Sequence, residues 1–202
     1  MALSSAKKQP NEFVKLSVTL FGITFVVALL LAVVNFFTAP KIANINQQKL
    51  EHAMATVLPD AVTFEDVTAK VTAVWTNETS VLSVQTAKNA SGSVIGYCVE
   101  VAPQGYSAEI DMMVGINTEG EITDTDIISI ADTPGIGTQV EEPEFIDQFV
   151  GKSGVLTGVK GSSAAANEVL LISGATYSST AFSDGVNAAL RAYEIIVGEG
   201  VK

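Results

Sequence analysis

From residue 16 to residue 38 the chain reads LSVTLFGITFVVALLLAVVNFFT, 23 positions without a charged residue. At about 1.5 Å per residue, a helix of that length crosses a hydrocarbon layer of roughly 30 Å. The stretch exceeds the apolar region of about 7 to 15 residues usual in a cleaved signal peptide, so it predicts an uncleaved membrane-spanning helix. Lys7, Lys8 and Lys15 precede it, whereas Lys41 and Lys49 follow it among Glu51, Asp60, Glu65 and Asp66. That bias predicts a cytoplasmic N-terminus, with the bulk of the chain on the extracytoplasmic side. Over 41–58 the apolar residues Ile42, Ile45, Leu50, Met54 and Leu58 recur at mostly helical spacing until Pro59, which predicts a short amphipathic helix continuing from the membrane.

The pattern then shortens. Runs rich in Val, Ile and Thr at 67–75, 80–86, 94–102, 111–116 and 121–130 predict strands separated by polar turns. Asn117-Thr118-Glu119-Gly120 has the composition of a hairpin connection between the last two. Over 181–197, Phe182, Val186, Ala189, Leu190, Tyr193, Ile196 and Val197 return to helical spacing. Strands bracketed by helices predict an α+β domain built on an antiparallel sheet with flanking helices. The boundaries expected are an N-terminal segment at 1–15, the span at 16–38, a linker helix at 39–60 and a domain at 61–202.

Composition narrows the chemistry. Beyond an anchor, 202 residues leave room for one domain of ordinary size. Eleven Lys and Arg against 22 Asp and Glu give a net charge of −11, which argues against a phosphate-neutralising nucleic-acid surface. The single cysteine, Cys98, rules out an internal disulfide, a CxxC pair, a thiolate zinc site and a cysteine-ligated iron–sulfur cluster. Cys98 reads as a core residue. The single histidine, His52, lies next to the apolar segment, so a Ser-His-Asp hydrolase and a histidine-rich metal site are also unsupported. Redox chemistry in this chain needs an organic cofactor. The sequons at Asn77 and Asn89 read as chance.

Three segments can carry chemistry. In Ser173-Gly174-Ala175-Thr176-Tyr177-Ser178-Ser179-Thr180, small residues and hydroxyls precede the last helix. Unpaired amides at a helix start hold phosphate well, and Ser178, Ser179 or Thr180 equally suits a helix cap. In Asp132-Thr133-Pro134-Gly135-Ile136-Gly137, a Pro-Gly turn offers amides and the Thr133 hydroxyl to a polar ligand edge, with Ile136 beside a flat ring; an ordinary turn has the same composition. Tyr106, within Gln104-Gly105-Tyr106-Ser107, either lines a pocket or covers a sheet edge.

Together these segments resemble the FMN-binding domain shared by the G subunit of Rnf complexes and the C subunit of sodium-translocating NADH:quinone reductases. The resemblance spans nearly the whole chain. It implies that Ser173-Gly174-Ala175-Thr176 is the flavin attachment motif, with FMN joined by a phosphoester to Thr176 and installed by a separate flavin transferase. It also implies that the turn holding Thr133, Gly135, Ile136 and Gly137 lies against the flavin, with Thr133 and the amides of 135–137 tuning it. Leu170 departs from the family pattern, which has an Asp three residues before the Ser of the motif. The function implied is an electron carrier within an Rnf-type membrane complex that couples ferredoxin:NAD+ electron transfer to Na+ or H+ movement and is not catalytic alone. The alternatives are the corresponding quinone-reductase subunit, an independent flavin reductase and a flavin-free assembly domain. No metal ligand set is expected.

Overall fold

The computed structural model of the chain describes residues 11–75, 80–161 and 164–199, so Lys7, Lys8 and the Asn77 sequon lie outside the described residues. α1 (Asn11–Val57) is one helix of 47 residues with Pro40 inside it. The span and the linker helix predicted separately are therefore one element, which ends just before Leu58 and Pro59. The hydroxyls of Thr19, Thr24 and Thr38 donate to the carbonyls of Lys15, Leu20 and Val34, four residues earlier, which satisfies them without interrupting the apolar surface. The stretch Phe13–Val57 is long and apolar enough to cross a membrane. The chain divides into two compact units, Met1–Gln47 and Gln48–Lys202.

In the second unit, β1 (Thr63–Asp66) is followed by the helix α2 (Thr68–Val74) and then by β2 (Val81–Lys88), β3 (Val94–Val101), β4 (Ile110–Asn117) and β5 (Ile122–Ile130). The five strands form one antiparallel sheet in sequential order. Asn117 closes the hairpin between β4 and β5 by accepting the Glu119 and Glu121 amides on its side-chain oxygen. Asn89 does the same between β2 and β3 through the amides of Ser91 and Ser93, so its side chain has a structural use in that turn. After β5 come a 3-10 turn (Gly137–Glu141), the short α3 (Pro143–Ile146), and a parallel pair formed by β6 (Thr157–Val159) and β7 (Glu168–Leu170). The last element is α4 (Thr176–Glu199).

Period-2 alternation gives the sheet two apolar faces. Val99, Val101, Met112, Val114 and Ile116 point to the larger core, where Phe182, Val186, Ala189 and Tyr193 of α4 meet Val140, Phe145 and Phe149. Each fully buried ring there contributes about 1.5–3 kcal/mol relative to exposure. Cys98 and Met113, one residue out of phase, point to the other face under Ala53, Met54 and Val57 at the end of α1. Burial pushes the Cys98 thiol up to about 12, which makes it an inert core side chain.

One predicted strand is corrected. The run 67–75 contains β-branched residues, yet most of it is α2, and the sheet begins earlier, at Thr63. The reason is local: Asp66 accepts the Thr68 amide and hydroxyl, turning the chain, and Val67 and Val71 then fall one helical turn apart and are buried.

Asp111 on β4 has a buried carboxylate oxygen with no partner among the described residues. Burial, joined by Glu100 and Glu109 and opposed by Lys49, pushes its carboxyl to about 6. Stability from this site is thus present in full below the ordinary carboxyl range and lost as pH rises through about 6. Asp111→Asn is expected to stabilise the domain at pH 7.5, by at most about 3 kcal/mol, and to lose that advantage at pH 4; urea unfolding at the two pH values checks this.

Candidate functional site

A cleft of about 580 Å³ opens where three distant segments meet, lined by Tyr106, Asp132, Thr133, Ile136, Gly137 and residues 174–178. Seven residues expected from the sequence come together here: Tyr106, Thr133, Ile136, Gly137, Gly174, Ala175 and Thr176. Ser173 and Gly135 do not line it. Ser173 faces a neighbouring groove with Leu170, Leu171 and Ile172, and Gly135 is exposed in the turn that carries Thr133 and Ile136.

Two turns with glycine in the left-handed region build opposite parts of the lining. In the first, the amides of Ile136 and Gly137 donate to Thr133 O at 3.1 and 2.9 Å, and Gly135 has φ +74°, as suits the residue after proline in such a turn. In the second, the Ala175 amide donates to Ile172 O at 3.1 Å with Gly174 at φ +89°. Nothing lies within 4 Å of where a Gly174 Cβ would stand, so a ligand has room beside the backbone.

The amides of 135–137, expected to face a ligand, have acceptors within the turn itself. The Gly135 amide donates to Thr138 Oγ1 at 2.9 Å, and those of Ile136 and Gly137 are engaged by Thr133 O. From this turn Thr133 and Ile136 remain as side chains on the cleft.

α4 begins at Thr176, five residues before the predicted start. The hydroxyls expected as caps lie inside the helix. Ser179 Oγ donates to Ala175 O at 2.9 Å and is fully buried. Ser178 Oγ, 2% exposed, donates to Asp132 Oδ2 at 2.5 Å. Thr180 is exposed and not among the lining residues. Thr176 is left on the cleft in the first turn, and the first helical bond is from the Ser179 amide to Ala175 O. The amides of 176–178 therefore have no acceptor within the helix and carry its partial positive charge.

Three further residues, present in those segments but not singled out as binding residues, also line the cleft: Asp132, Tyr177 and Ser178. Asp132 is 6% exposed. Burial raises its carboxyl, but donation from the Ser178 hydroxyl and the Ser107 and Tyr106 amides outweighs that and holds it below the ordinary range. The Tyr106 and Tyr177 rings, 69% and 75% exposed, stand 5.9 Å apart at the mouth. The signal for Asp132 was its place directly before Thr-Pro-Gly. Tyr177 and Ser178 were masked by their reading as part of a capping run.

The arrangement fits FMN: aromatic and apolar side chains for a flat ring, open backbone at Gly174, and a helix start for a phosphate. The described residues contain no group of three or more His, Cys, Asp or Glu placed to hold a metal.

The FMN-binding domain family matches residues 105–191, which contain the whole cleft. The chain is 37% identical over 190 residues to the G subunit of the Na(+)-translocating ferredoxin:NAD(+) oxidoreductase complex of Acetobacterium woodii, covering 89% of this chain and 91% of that one. It is 32% identical to the G subunit of the ion-translocating oxidoreductase complex of Methanosarcina acetivorans, covering 89% and 94%. It is 27% identical to the G subunit of the proton-translocating ferredoxin:NAD(+) oxidoreductase complex of Clostridium ljungdahlii, covering 95% and 97%. With the cleft inside the matched region and the likeness running over nearly the full length of these relatives, the chain belongs to the family of G subunits of ion-translocating oxidoreductase complexes and carries that family's FMN-binding domain.

Proposed function

We propose that this chain is the flavin-bearing electron carrier of an Rnf-type membrane complex, with FMN held in the cleft by a phosphoester to Thr176. The observation that carries the assignment to Thr176 is the sorting of hydroxyls at the start of α4: Ser178 and Ser179 are buried and bonded elsewhere, whereas Thr176 lines the cleft beside unpaired helix amides. Once attached, FMN supplies the electron-transfer chemistry. The chain's own residues would hold the phosphate at the amides of 176–178, with Tyr106, Tyr177 and Ile136 available to the flat ring and the Thr133 hydroxyl to a polar edge. A covalent tether keeps the cofactor at high effective concentration outside the cytoplasm.

α1 anchors the chain in the membrane, and the lysines before it favour a domain on the extracytoplasmic side. Partners are the other membrane and redox subunits of the complex, together with a flavin transferase that recognises the Ser173–Thr176 segment. The names of the three relatives favour this assignment over the quinone-reductase counterpart, since each is the G subunit of an ion-translocating complex. The reading predicts that detergent-solubilised chain co-purifies with subunits supporting ferredoxin-dependent NAD+ reduction and has no turnover alone. Recovery with NADH:quinone reductase subunits, or turnover by the isolated chain, contradicts it.

A further inference from the structure

Among the described residues, Asp132 is the one cleft residue hydrogen-bonded to both of the other segments that build the cleft. Its Oδ1 accepts the Ser107 amide at 2.9 Å, and its Oδ2 accepts the Tyr106 amide at 3.3 Å and the Ser178 hydroxyl at 2.5 Å. These partners lie 25, 26 and 46 residues away in sequence, so one carboxylate joins the Tyr106 loop, the 132–137 turn and the first turn of α4. The space around it is made by two glycines. A Cβ on Gly137 would stand 2.7 Å from Asp132 Cγ, and one on Gly105 would stand 3.1 Å from Oδ2.

We propose that Asp132 is the positioning residue of the cleft and a fixed negative charge in its lining, and that this charge lowers the reduction potential of the flavin held there. The proposal rests on the reading that FMN occupies the cleft. Ionisation follows from the bonding geometry: the Tyr106 and Ser107 amides can only donate, one to each oxygen, so a proton on either oxygen would displace a donor. The carboxylate is 6% exposed in the wall of the cleft, so a ring seated there would be close to a charge that water screens only in part. Electrons added to a ring in this cleft increase negative charge beside an anion already there. The start of α4 and the three donors offset that repulsion in part. Ser178 belongs to the same device, because its hydroxyl neutralises part of the carboxylate's charge.

The test uses the full-length chain made with its flavin transferase, with attachment checked by flavin fluorescence in the denatured band and the flavin then titrated by spectroelectrochemistry. Asp132→Asn is expected to raise the ratio of reduced to oxidised flavin about tenfold at a fixed ambient potential, about 30 mV for a two-electron couple. Asp132→Glu keeps the charge but adds a methylene in a tight space, and is expected to titrate closer to wild type than Asp132→Asn does. Ser178→Ala, which leaves the carboxylate less neutralised, is expected to lower the ratio severalfold. A flavin-loaded Asp132→Asn protein that titrates like wild type overturns the proposal, as does an Asp132→Glu protein displaced as far as Asp132→Asn. If Asp132→Asn fails to fold, an unshifted Ser178→Ala protein overturns it. Wild-type protein without flavin in the denatured band contradicts the Thr176 linkage instead. The positioning role is then judged by limited proteolysis of the flavin-free chain, where Asp132→Asn must cut faster in 132–137 than wild type and Thr176→Ala must not.

Discussion

Thr176→Ala is expected to abolish flavin retention by the denatured protein while leaving the domain folded. The Thr176 hydroxyl has no hydrogen-bond partner among the described residues, and Ala is the best helix former for the first turn. The change in stability is therefore expected within about 0.5 kcal/mol, and the far-UV spectrum should match wild type. The flavin has no equivalent place to go. Ser178 and Ser179 are buried and hydrogen-bonded inside α4, and Ser173 lies on the neighbouring groove. Thr176→Ser keeps a hydroxyl at the same position and is expected to retain in-gel fluorescence. Full fluorescence in Thr176→Ala would mean that another hydroxyl is the acceptor.

Gly137→Ala is expected to damage the cleft by overpacking its wall at Asp132. Gly137 does not have a positive φ, so the effect is steric: the new methyl would stand 2.7 Å from Asp132 Cβ and Cγ. Asp132 cannot easily retreat, because Ser107, Tyr106 and Ser178 hold it from the other side. Overpacking of this kind costs about 1–3 kcal/mol, which lowers Tm by roughly 2–12 °C for a domain of this size. With the turn displaced, flavin loading should fall as well. A Gly137→Ala protein with wild-type Tm and full loading would show that the turn and Asp132 move independently.

Much of this organisation was legible in the sequence because its signals are local. An uncharged run of 23 residues, four β-rich segments and a C-terminal stretch of helical period each carry their own periodicity. The misread segments are those where neighbours override local preference. Residues 67–75 look strand-like until Asp66 turns the chain onto Thr68. The hydroxyls at 178 and 179 look like caps until one is bonded to Asp132 and the other to Ala175 O. The seven expected lining residues were found through motif resemblance and turn chemistry. Asp132 has no legible role in the sequence, because what makes it central is bonding to Tyr106, Ser107 and Ser178, remote in sequence and unmarked by spacing. The turn amides are similar: the sequence shows permissive backbone at Gly135 and Gly137 but not that Thr133 and Thr138 engage the N–H groups of this turn.

The most direct test of the covalent assignment is peptide mapping by mass spectrometry of the full-length chain made with its flavin transferase. The account predicts one modified peptide, carrying an FMN phosphoester localised by fragmentation to Thr176. An unmodified 173–180 segment, or FMN localised to Ser173, Ser178, Ser179 or Thr180, would contradict it.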